Sequence, residues 1–136
     1  MQIVQIKKGD TIYALLLRKD ISMFRAGVYF VTDPGDPLQV ALSYYEQGHI
    51  IKAHRHLDRN RYITHTYEVI HLEEGSSVVR IFDENYAPVS TIRLMPGDTV
   101  IFMRGYHSLE FDRNSIVIEV KQGPYPGKDQ DKEYMS

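Results

Sequence analysis

The chain has 136 residues, a net charge of −2, and 43% hydrophobic and 25% charged residues, the make-up of one ordinary globular domain. A pI near 6.3 leaves no basic field and argues against a nucleic-acid partner, and the absence of cysteine excludes disulfides, thiolate metal sites and cysteine nucleophiles. No apolar run approaches membrane-spanning length, and Lys7 and Lys8 interrupt the apolar start where a signal peptide would continue, so a cytoplasmic protein with no membrane partner is expected.

In chain order, residues 1–10 predict a short strand and a turn at Lys8-Gly9-Asp10. The run Thr11 to Arg18 is continuously apolar at its centre, which suits a buried strand or a short helix equally well. Gly27 to Thr32 predicts a strand, ended by the turn cluster Asp33-Pro34-Gly35-Asp36-Pro37, and Leu38 to Tyr45 predicts another. Ile50 to His56 predicts a strand, and the polar, basic stretch Leu57 to Ile63 a loop. Five further strands are expected at Thr64 to Leu72, Ser77 to Phe82, Val89 to Leu94, Thr99 to Met103 and His107 to Phe111, each bounded by Gly, Pro, Asp or Asn turns. Ser115 to Gln122 closes the series. Residues 128–136 read as a polar, loosely held tail. Short strands at even spacing, without a long amphipathic helix, predict an all-β antiparallel sandwich or barrel formed by a single domain over residues 1–127.

Four side chains in this pattern suit a metal. Residues two apart in a strand share a face, so a strand at Ile50 to His56 would set His54 and His56 toward one ion. In the next strand Glu68 shares a face with Ile70 and Leu72, and a carboxylate there needs a partner, because burying an unpaired charge is costly. His65 lies on the opposite face and is the alternative ligand, while His49 and His71 read as surface residues. His107 follows the turn Arg104-Gly105-Tyr106 and shares its face with Leu109 and Phe111.

Gly48, His54, His56, Glu68 and Gly75, followed by Gly97 and His107, resemble the two motifs of the cupin superfamily. The sequence departs from that pattern in four places. Eleven residues separate His56 from Glu68, Met103 stands where proline is common, Phe111 stands where asparagine is common, and one residue separates Gly105 from His107. The resemblance covers roughly residues 38–122 and implies a double-stranded β-helix, or jelly-roll barrel, with one divalent metal (Fe, Zn, Ni or Mn) on His54, His56, Glu68 and His107. The runs Thr66-Tyr67-Glu68-Val69, Gly105-Tyr106-His107 and Glu119 to Tyr125 are similar to a group of small bacterial cupins. Some of these are associated with surface-polysaccharide gene clusters, which implies a small, carbohydrate-derived ligand.

Lys52, Arg55, Arg59 and Arg61 are four cations within ten residues, opposed only by Asp58. Lys52 or Arg61 could hold a carboxylate or phosphate, although a solvated basic loop explains them equally. Tyr106 is a candidate hydrogen-bond donor to a substrate, whereas Tyr67 has the wrong parity. Glu119 reads as the partner of Lys121 on the outer surface. A homodimer through the N-terminal strands is expected, since small barrels cover open strand edges with a second subunit. Three functions remain open: a metal-dependent enzyme on a small polar substrate, a non-catalytic metal- or sugar-binding module, and a metal-free sugar-nucleotide epimerase or isomerase using His54 or His107 as base and a tyrosine as acid.

Overall fold

The computed structural model describes residues 2–20 and 25–136. Ten strands and one short helix form in it: β1 (Gln2–Lys8), β2 (Thr11–Arg18), β3 (Gly27–Phe30), β4 (Ala41–Tyr44), β5 (Glu68–Glu74), β6 (Ser77–Phe82), β7 (Pro88–Leu94), β8 (Thr99–Phe102), β9 (Tyr106–Phe111), β10 (Ile116–Lys121) and α1 (Lys128–Asp131). The ambiguous run Thr11–Arg18 is a strand, because it lies between β1 and β8 and both sides of its backbone find ladder partners. Every pairing among the described strands is antiparallel.

Three sheets result. The first has the order β1-β2-β8-β5-β10, the second β7-β6-β9, and β3 and β4 make a small hairpin apart from both. The five- and three-stranded sheets enclose the main core. Ala14, Leu16, Ile70, Leu72, Val100 and Phe102 from the first meet Val79, Ile81 and Leu94 from the second. A second cluster, Leu15, Leu17, Tyr67 and Ile101, is packed by Val31, Leu38 and Val40. From Ala14 to Leu17 β2 alternates between the two clusters, with Ala14 and Leu16 in one and Leu15 and Leu17 in the other, which explains its unbroken apolar run.

Gly75 turns β5 into β6 at a positive φ of 94°, and a side chain there would overlap Ser115 Oγ and the Asn114 carbonyl. Ion pairs tie the strands further. Lys8 Nζ meets Asp83 Oδ2 at 2.5 Å, and Arg18 meets the buried Asp98 at 2.5 Å.

Two expectations fail. Ile50 to His56 is not a strand: residues 45–67 carry no regular element, and every residue from 43 to 66 is exposed. Among the described residues no strand accepts its ladder bonds, and alternation alone does not make a strand. The C-terminal residues are also not a loose tail. α1 follows Gly127, and Asp131 accepts a hydrogen bond from Lys121 Nζ at 2.9 Å.

Candidate functional site

A cleft of about 820 Å³ opens between the two main sheets. Thr66, Glu68 and Ile70 enter it from the β5 side, and His107, Leu109 and Phe111 from β9. Both sets follow the alternation expected from sequence. Glu68 is paired across its sheet with Phe102, and His107 across the other sheet with Ile81. The two side chains therefore come from opposite walls and meet in the interior.

His107 Nε2 lies 2.8 Å from Glu68 Oε2. Glu68 is 13% and His107 27% exposed at the side chain, so the pair is shielded without being sealed. The imidazole also stacks flat on Phe102, with ring centroids 3.7 Å apart and planes 2° from parallel. One ring atom is thus fixed by a carboxylate and one ring face by an aromatic, which leaves the imidazole a single orientation. The hydrogen bond from His107 holds the Glu68 carboxyl down at about 2, against the opposing effect of burial, with lesser help from Glu119 and Lys132. Glu68 is therefore ionised at neutral pH.

More charge surrounds this pair than the sequence suggested. Glu84, Glu119, Asp131 and Glu133 line the cleft together with Arg104, Lys121 and Lys132. Glu119 is not an outer-surface residue. Val117, Glu119 and Lys121 face the cleft, and Lys121 Nζ stands 3.5 Å from Glu119 Oε1 as well as near Asp131. Tyr106 lines the cleft and donates its hydroxyl proton to Glu133, which pushes its pKa upward; its ring meets Tyr86 edge-on at 5.0 Å. The tail thus supplies part of the cleft wall. No periodicity in residues 128–136 announces this, because the tail is placed by individual polar contacts.

The remaining candidates lie elsewhere. His54 and His56 sit on the exposed segment, their rings 5.5 Å apart, with His54 Nδ1 2.8 Å from the Lys52 carbonyl. Lys52 and Arg61 are exposed on the same segment. None of these four lines the cleft. His65 is exposed beside Thr64, at 2.9 Å, and borders a separate cleft of about 200 Å³. His49 stacks on Tyr45, and His71 bonds Thr99 on the far face of β5. Tyr67 points away from the cleft, as its parity requires. Its hydroxyl bonds Asp36 at 3.1 Å, and burial with the nearby Asp36 carboxylate pushes it up to about 12.

Glu68 and His107 suit two adjacent positions on one ion, because donors bonded at roughly 2.1 Å and a right angle stand about 3 Å apart. Within one chain the full expected set does not assemble: among the described residues, no group of three or more His, Cys, Asp or Glu could hold a metal.

What the fold and site define is an all-β, antiparallel protein with a carboxylate–imidazole pair in a cleft between its two larger sheets. Comparison with protein-family models, with curated proteins and with solved structures finds no match to this chain. No helix among the described residues is long and apolar enough to cross a membrane.

Proposed function

We propose that this chain is a cupin-type jelly roll that acts as an enzyme on a small polar, carbohydrate-derived substrate, with Glu68 and His107 as its chemical centre. The observation that carries the reading is the interior Glu68–His107 hydrogen bond at 2.8 Å, set in a cleft large enough for a sugar-sized ligand. An ionised carboxylate that orients an imidazole is a recurrent acid–base arrangement. Glu68 fixes the ring, and His107 exchanges a proton with the bound molecule. Arg104, Lys121 and Lys132 offer cationic groups to an anionic part of the substrate. Tyr106, whose proton is held by Glu133, is suited to orienting a substrate and poorly suited to acting as an acid.

A divalent metal on Glu68 and His107, with His54 and His56 completing the set, is the metal-dependent form of this reading, in which the ion would take the place of the hydrogen bond between Glu68 and His107. Such an ion would supply Lewis-acid polarisation of a carbonyl or hydroxyl. The metal-free epimerase or isomerase is the second reading, and it is favoured by the direct hydrogen bond between the two residues.

Turnover of a panel of sugars, sugar nucleotides and oxo-acids, with and without oxygen, tests the proposal. The expected result is a substrate whose turnover falls about 10²–10⁴-fold in Glu68→Gln and in His107→Ala. Ligand binding without turnover, unchanged in both variants, would make the protein a binding module and overturn the enzyme reading.

A further inference from the structure

The segment from residue 45 to residue 66 has the properties of an arm. It joins no sheet, and every residue in it is exposed. It nevertheless carries Ile50 (80% exposed), Leu57 (74%) and Tyr62 (95%), side chains that gain from burial and gain nothing here. At roughly 3.3 Å per residue an extended chain of this length reaches on the order of 70 Å, far enough to cross a neighbouring copy.

The barrel has a matching vacancy in its hydrogen bonding. Among the described strands β9 pairs only with β6, and β10 only with β5, so each stands at the edge of its sheet. Leu109 and Phe111 of β9 and Val117 and Glu119 of β10 line the same cleft, so the two open edges both belong to its walls. Unpaired edges are templates for another strand. The outward face of β10 is also apolar and uncovered, with Ile116, Ile118 and Val120 each about half exposed. Charge matches as well. Lys52, Arg55, Arg59 and Arg61 on the arm face Glu46 and Asp58 within it, while five carboxylates, Glu68, Glu84, Glu119, Asp131 and Glu133, line the cleft beside three cations, Arg104, Lys121 and Lys132.

We infer that the arm docks on a second copy of this chain. Residues 45–62 of each copy pair with the open edges of β9 and β10 of the other, bringing His54 and His56 to the other copy's Glu68 and His107. The exchange is reciprocal, so a two-fold dimer carries two complete sites. It explains why half of the expected ligand set lies outside the cleft of its own chain. The arm's role in completing the site rests on the function proposed above; the docking itself does not.

The test uses the unmodified protein and needs neither metal nor substrate. Unlabelled and ¹⁵N-labelled chains are mixed in denaturant, refolded together and treated with an amine cross-linker, and cross-links from Lys52 to Lys121, Lys128 or Lys132 are weighed by mass spectrometry. The inference expects these cross-links to join light to heavy chains as often as light to light and heavy to heavy. Cross-links confined to chains of one isotope would show the arm folded on its own barrel and overturn it, as would their absence. Sedimentation gives a second reading that does not depend on refolding. The chain is expected as a dimer that becomes monomeric in the double variant Ile50→Asp and Leu57→Asp, and a monomeric parent protein would overturn the inference.

Discussion

The cleft and the arm hold equal shares of the expected metal set, yet their surroundings are opposite. Glu68 and His107 are drawn together from two sheets and shielded from water. His54 and His56 lie on a segment with every residue exposed. The side-chain pattern of Ile50 to His56 is as strand-like as that of β5. What differs is the backbone: β5 has β8 on one side and β10 on the other, and the arm has neither. A strand is a relation between two segments, and one sequence window contains only half of it.

Core substitution should separate the two regions most widely. Leu72 is fully buried in the main core, so Leu72→Ala should cost about 2–5 kcal/mol in a urea titration. Leu57→Ala should cost under about 0.5 kcal/mol when the chain is dilute enough to be monomeric. Equal losses would mean that the arm is packed within its own chain.

Acid should act through the cleft and spare the arm. Glu68 is held at about 2 against an ordinary value of 4.5. A depressed carboxylate stabilises the fold above its unfolded pKa and loses that contribution as pH falls through the folded one. Stability attributable to Glu68 should thus be intact above pH 4.5 and fade toward pH 2, by at most about 3 kcal/mol. Glu68→Gln should flatten this part of the profile, and an unchanged acid limb would remove the His107 bond from the account.

The paired motif glycines give a smaller contrast. Both have positive φ, 94° at Gly75 and 87° at Gly48. A side chain at Gly75 collides with backbone, and at Gly48 it meets nothing within 4 Å. Gly75→Ala should cost about 2 kcal/mol or more, and Gly48→Ala about 1 kcal/mol, the conformational term alone. The smallest effect is expected at Arg61. If the basic loop is simply solvated, Arg61→Ala leaves ligand affinity unchanged, and a tenfold loss would bring the arm to the substrate.

Much of the barrel was legible because its turns are marked. Gly75, Gly97 and Gly105, all at positive φ, punctuate strands whose alternation then places Glu68 and His107 inward. Glu119 was misread for a physical reason. β10 puts Ile116, Ile118 and Val120 on one face and Val117, Glu119 and Lys121 on the other, yet the apolar face is turned away from the cleft and the charged one lines it. Alternation identifies two faces but cannot say which of them lines a cleft. The tail escaped for a different reason: the contacts of Asp131 with Lys121 and of Glu133 with Tyr106 join residues ten and 27 positions apart, one pair at a time, without any repeat.

Elemental analysis of protein purified without a histidine tag tests the central claim most directly, because it asks whether the cleft and the arm hold one ion together. The account predicts one divalent metal per chain, lost in Glu68→Ala, in His107→Ala and in the double variant His54→Ala and His56→Ala, each shown to be folded. A metal retained at full stoichiometry without Glu68 and His107 would contradict it.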